Sequence, residues 1–140
     1  MQTTILLLFI LVCSLTVFGQ SSLPAPELVY DGKEEIQTSF GEQTVYRLGV
    51  SNRSAYPDEM FEISPDLPPC GRNKNSSRSW VDILTKSGSR IYGFCALKSA
   101  EELNTLAFQL PKGKTLKGVY IVITDRKSGV KYKSNVVALD

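Results

Sequence analysis

The chain is 140 residues long, carries a formal net charge of +2 and contains no histidine. Without imidazole there is no Ser-His-Asp or Cys-His catalysis, no histidine-ligated zinc and no imidazole-bound copper. A chain of this length makes one domain and can bury a real hydrophobic core.

Residues 1–20 bear no charged side chain, and Ile5–Val12 is an unbroken apolar run. That run is shorter than the ~20 residues a membrane span requires, and it fits the apolar centre of a secretory signal peptide. Val17-Phe18-Gly19 supplies permissive residues before a cut, so residues 1–19 read as a signal peptide. The region before the apolar run lacks Lys and Arg, a departure from the usual pattern. Cys13 preceded by Val12 is a poor lipidation site. The expected product is secreted, extracellular or periplasmic, with no transmembrane segment after cleavage. It comprises a flexible entry segment at 20–26 and a single domain at 27–140.

The mature chain reads as short strands. Glu27–Tyr30 and Glu35–Phe40 are brief candidates separated by a turn signal at Asp31-Gly32. In Thr44–Ser51, Tyr46, Leu48 and Val50 alternate with Val45, Arg47 and Gly49, the period of a half-buried strand. Asn52–Glu59 is a loop and Met60–Ser64 another strand. Pro65, Pro68 and Pro69 forbid ladder pairing, so Pro65–Arg78 is a long loop. Ser79–Leu84 and Ile91–Ala96 form a hairpin with its tip at Thr85–Arg90. Ser99-Ala100-Glu101-Glu102 reads as a capping box opening one helical turn. Leu106–Leu110 is a strand, and Gly118–Thr124, apolar on both faces, is a central one. Val130–Val137 closes the chain as an edge strand, with Val130, Tyr132 and Val136 inward. Its outward Lys131 and Lys133 discourage pairing with another chain. Seven to nine short strands with almost no helix predict an all-β, antiparallel β-sandwich.

The hairpin organises the rest. Removing the leader leaves two cysteines, Cys70 and Cys95, and export predicts that they bond. Trp80, the single tryptophan, lies between them in sequence. Alternation sets Trp80, Asp82 and Leu84 on one face of their strand. If that face is solvated, Trp80 and Tyr92 make a ligand platform on which a sugar ring stacks. Tryptophan is on average highly buried, so a core role against the disulfide is the preferred reading.

Charge is unevenly distributed. Residues 21–66 hold nine acidic and three basic side chains, whereas residues 67–140 hold thirteen basic and five acidic ones. The basic half suits a glycan or polyanion, or attraction to the acidic half of the same molecule; nucleic acid is not an expected partner of an exported protein. Asp58, Glu59, Glu62 and Asp66 offer oxygen ligands for calcium at a spacing that matches no known loop, and a solvated acidic loop is preferred. No catalytic residue, cofactor site or metal site is expected. Asn52-Arg-Ser and Asn75-Ser-Ser are glycosylation sequons that matter only in a source that modifies asparagine.

Two segments carry a resemblance. Leu116-Lys-Gly-Val-Tyr120-Ile-Val-Ile looks like the segment of immunoglobulin-like and fibronectin type III-like domains in which a tyrosine corner precedes a central strand. Pro69-Cys-Gly-x-Asn-Lys-Asn-x-Ser-Arg-x-Trp-Val-Asp-Ile, Tyr92-Gly-Phe-Cys and Tyr120-Ile-Val-Ile-Thr-Asp-Arg together resemble small secreted bacterial proteins of unassigned activity. The resemblance implies an immunoglobulin-like or fibronectin type III-like sandwich and an exported location; it carries no functional residue. The expected function is a non-enzymatic module for binding or for structural, cell-surface interaction. The alternatives are a carbohydrate-binding module using Trp80 and Tyr92, or a hydrolase or inhibitor with an unrecognised loop site.

Overall fold

The first strand is longer than its sequence suggests. In the computed structural model, which describes residues 23–72 and 74–140, β1 (Leu28–Thr38) runs through Asp31-Gly32 without turning. It pairs antiparallel with β2 (Gly41–Val50), and the register shifts between Tyr30 and Gly32. Gly32 has a φ of 105°, open to glycine and strained for other residues. The Asp-Gly pair therefore encodes a bulge inside one strand, not a turn between two.

Two short 3-10 helices, Arg53–Ala55 and Asp58–Phe61, follow. The second takes Met60 and Phe61 out of the expected strand and buries both against the core. The strand that remains is only β3 (Ile63–Ser64), which pairs with β4 (Ser76–Ser77) across the proline-bounded loop. The hairpin follows as β5 (Ser79–Thr85) and β6 (Arg90–Phe94), joined at the expected tip. Asp82 lies opposite Gly93, and a bulge shifts Leu84 to Arg90. Ser99 opens the 3-10 helix Ala100–Asn104 without a side-chain cap; Glu102 instead accepts the Lys98 N–H at 2.7 Å.

The remaining strands are β7 (Leu106–Pro111), β8 (Gly118–Asp125), β9 (Lys131–Lys133) and β10 (Val137–Ala138). Among the described residues ten strands stand where seven to nine are expected: the loop adds β4 and the last strand is broken in two, while the first two expected strands merge into β1. The break comes at Ser134, whose hydroxyl accepts the Ile121 N–H at 2.8 Å and donates to the Asn135 carbonyl. Only Tyr132 of its three expected inward residues turns in; Val130 and Val136 are exposed. Among the described residues there is no α-helix.

The strands form two main antiparallel sheets. The smaller runs β1-β2-β7; the larger runs β10-β8-β5-β6, with β9 also on β8. Tyr46, Leu48 and Val50 of β2, Leu106, Phe108 and Leu110 of β7, Val81 and Ile83 of β5, and Val119, Ile121 and Ile123 of β8 belong to one buried cluster. Burying each large apolar side chain contributes about 1.5–3 kcal/mol, so this shared core holds the sheets together. The all-β, antiparallel expectation is met.

The two sheets meet at one tied seam and one open seam. At the tied seam the Asn135 amide accepts from the Leu28 N–H at 2.8 Å and donates to the Leu28 carbonyl at 3.0 Å. It thus acts as a strand partner for β1 and joins the edge of one sheet to the edge of the other. At the open seam, Ile91 and Tyr92 of β6 face Ala107, Phe108 and Gln109 of β7 around a cleft of about 350 Å³. The segment 23–26 is packed, where the sequence suggests a loose lead-in. Pro26 is fully buried, Leu23 packs on the core, and the Tyr56 hydroxyl donates to the Pro24 carbonyl. The expected signal peptide lies outside the described residues.

Candidate functional site

The outer face of the larger sheet gathers the chemistry. In β5, Val81 and Ile83 point to the core and are fully buried, so Trp80, Asp82 and Leu84 point outward. Their partners across β8 are Thr124, Val122 and Tyr120. Lys131 and Lys133 of β9 lie opposite Thr124 and Val122, and therefore share this face.

Trp80 is half-buried. It is neither the core tryptophan nor the bare platform that the sequence offers as alternatives. The Arg126 guanidinium lies 4.1 Å from its ring centre, within cation–π range. Arg126 donates to Ser76 Oγ at 2.9 Å, with longer contacts to the Ser77 and Pro68 carbonyls. Burial pulls the Arg126 pKa below its ordinary value. The indole Nε1 is buried without a partner. A sugar ring cannot stack on the ring face that Arg126 covers.

Tyr92 does not join Trp80. It pairs with Ile83, an inward residue, so it leaves the sheet on the opposite side. There it stacks edge-on with Phe94, ring centres 5.0 Å apart, in the open seam. The expected Trp80–Tyr92 platform is thus divided between two faces of one sheet. The partner aromatic on the Trp80 face is Tyr120, whose ring lies 4.5 Å from Lys133 Nζ. Its hydroxyl lies beside the Thr85–Arg90 turn, where a Cβ on Gly88 would stand 3.6 Å away. The ring therefore does not fold onto the Pro111–Lys117 loop as a tyrosine corner would.

An ion pair to a buried carboxylate anchors this end of the sheet. Arg78 Nε and Nη2 donate to the two carboxylate oxygens of Asp125, each at 2.8 Å. Asp125 also accepts from the Lys127 N–H and the Ser128 hydroxyl. The Arg78 hydrogen bonds, with those from Ser128 and Lys127, hold the Asp125 carboxyl well below its usual range despite its burial. The Arg126 N–H donates to the Arg78 carbonyl at 2.9 Å. The strand end that projects Arg126 is therefore fixed.

The disulfide joins Cys70 to Cys95 as expected, with Cα atoms 5.7 Å apart. The Ser77 N–H donates to the Cys95 carbonyl at 2.7 Å. Both links fasten the proline-bounded loop to the end of β6, and that loop supplies the Ser76 hydroxyl and Pro68 carbonyl beneath Arg126.

Charge on this face is not balanced. Its acid, Asp82, is engaged by Arg90 at 2.7 Å. Among the described residues, Arg126, Lys131 and Lys133 make no ion pair. Asp58, Glu59, Glu62 and Asp66 do not converge: no group of three metal-ligating side chains exists among the described residues, and Asp58 accepts the Ala100 N–H. Of the two sequon asparagines, Asn52 is committed, accepting the Glu27 N–H and donating to the Ala25 carbonyl. Asn75 is exposed.

Sequence reasoning placed Lys131 and Lys133 outward but read them only as edge protection, and it did not single out Arg126. The strand period carries the first signal; nothing local announces that Arg126 turns back over Trp80. Comparison with known protein families, with characterised proteins and with solved structures found no match.

Proposed function

We propose that this protein is an exported, non-enzymatic binding module that engages its ligand through the outer face of the larger sheet. The observation that carries the reading is the set of cations Arg126, Lys131 and Lys133, displayed beside Trp80 and Tyr120 with no carboxylate of their own. Charge without an acid partner, held on a rigid sheet, gives a partner something to recognise. A fold selected for stability alone gains nothing from concentrating it.

Export is supported by the disulfide and by the absence of any helix long and apolar enough to cross a membrane among the described residues. An immunoglobulin-like or fibronectin type III-like sandwich is supported by the strand order. In chain order, β1, β2, β5, β6, β7 and β8 take the places of strands A, B, C, C′, E and F. β9 and β10 together take the place of G, which sets A-B-E against G-F-C-C′. The missing histidine and the lack of a convergent carboxylate group among the described residues favour binding over hydrolysis. A screen of the purified mature protein against mixed ester, peptide and glycan substrates tests this. No turnover is expected; turnover that co-purifies with the protein would overturn the reading.

A further inference from the structure

We infer that the outer face of β9-β8-β5 is a binding site for a linear polyanion of the acidic-polysaccharide class, bearing carboxylate or sulfate groups. The inference rests on the binding-module reading and names its ligand. Lys131 and Lys133 are two residues apart on one strand, so their stems are about 7 Å apart along the edge. Trp80, with Arg126 over it, lies two strands across from Lys131 by way of Thr124, about 10 Å away. Three positive groups therefore ring a shallow, pleated surface, with the Thr124 hydroxyl between them. An extended chain with a negative group on successive sugars can meet two or three of them together.

The three cations have different chemistry. Lys131 and Lys133 are exposed point charges that attract an anion without fixing its geometry. Arg126 is a fork held in one orientation by the Trp80 ring and the Ser76 hydroxyl. A guanidinium has five N–H donors, and those not directed at Ser76, Ser77 and Pro68 remain to grip a carboxylate or sulfate side-on. Because Arg126 is ordered in advance, a ligand does not have to order it. The competing carboxylate, Asp82, is occupied by Arg90.

An anionic membrane is the other surface that such charge attracts. Membrane-surface elements also insert apolar side chains below the headgroups. The outer positions of β5, β8 and β9 carry no exposed large apolar side chain; Phe40, the most exposed one, caps the tip of the β1–β2 hairpin on the other sheet. The face therefore fits a hydrated polymer better than a bilayer.

The test is calorimetric titration of the mature protein with heparin and with polygalacturonate, alongside neutral dextran and phosphatidylglycerol vesicles. Binding to one or both acidic polymers, weakening steeply with salt, and none to dextran is expected. Lys131→Ser with Lys133→Ser should weaken binding by at least about tenfold and flatten the salt dependence. Lys33→Ser with Lys114→Ser removes the same charge from exposed positions elsewhere and should change affinity less than about twofold. Arg126→Lys keeps the charge and loses the fork, and should weaken binding with unchanged near-ultraviolet circular dichroism. Equal losses in the two lysine pairs would overturn the site, leaving only net charge. Tighter binding to vesicles than to either polymer would overturn the ligand class. Binding to dextran alone would overturn the polyanion site while leaving the binding-module reading intact, whereas turnover of any polymer would remove that reading itself.

Discussion

The outer faces of the two sheets handle charge in opposite ways. On the outer face of the smaller sheet, Arg47 of β2 pairs with Glu34 of β1; Lys112 pairs with Glu35 and Glu42 at the end of the sheet, on the side that Tyr46 faces. Arg47 and Glu34 sit on neighbouring strands and neutralise each other in water. On the larger sheet, Arg126 and Lys133 lie over aromatic rings, and Lys131 has no ion partner. Its bidentate ion pair, Arg78–Asp125, closes on a buried carboxylate at the strand end. One face satisfies itself, and the other keeps its charge available over a buried anchor. Among the described residues, Lys112 of the basic half meets Glu35 and Glu42 of the acidic half, whereas Arg126, Lys131 and Lys133 of the same half meet no acid.

The comparison is broken most severely at the anchor. Asp125→Ala leaves the Arg78 guanidinium without its carboxylate and should cost about 3–5 kcal/mol in urea unfolding. The pH dependence follows from the depressed pKa of Asp125. Its folded value lies below the ordinary 3.8, so the stabilisation is complete above that value and is lost as the pH falls beneath it. The stability gap between parent and variant should therefore narrow on acidification below 3.8; a gap that widens there would contradict the anchor.

The next largest effect tests the loop that supports Arg126. Cys70→Ala with Cys95→Ala opens a 25-residue separation and should cost about 3.5 kcal/mol by loop entropy. The same variant should release the Ser76 and Pro68 contacts to Arg126, seen as a change in Trp80 fluorescence. A stability loss without any fluorescence change would show that the loop does not position Arg126.

Trp80 sharpens the comparison at smaller cost. Trp80→Ala should destabilise by about 2 kcal/mol, less than a full core tryptophan, because only part of the ring is buried. Trp80→Phe keeps an aromatic face for Arg126 and removes the unpartnered indole N–H. It should change stability by less than about 1 kcal/mol, since an unsatisfied buried donor carries its own penalty. The smallest effect belongs to the other sheet. A double-mutant cycle on Arg47 and Glu34, both more than half exposed, should give a coupling of about 0.5 kcal/mol. A coupling several times larger would erase the contrast between the faces.

Much of the fold was legible in sequence for a physical reason. Side chains alternate across a strand, so apolar alternation in β2 declares both strand and inward face; in β5 it separates two faces without saying which is inward, and β8, apolar on both, declares a central strand. Three local patterns misled. Asp31-Gly32 carries the signal of a turn and a bulge alike, and only the pairing of β1 with β2 selects the bulge. Met60 and Phe61 look like strand residues but sit in a 3-10 helix that buries both. Tyr92 was grouped with Trp80 by proximity in the hairpin, whereas the cross-strand register assigns it to the opposite face.

By itself the sequence determined an all-β chain, the inward face of β2, the Cys70–Cys95 pair and the imbalance of charge. These follow from period, residue type and count, which need no knowledge of what lies across the molecule. Tertiary structure alone decided what covers Trp80, which cations lack an acid, and how the seam is closed. Asn135 reaches Leu28 over a separation of 107 residues, and Arg126 reaches Ser76 over 50. Alternation fixes the direction in which a side chain leaves its strand. What it meets there depends on how distant strands are ordered, and burial of the shared core sets that order.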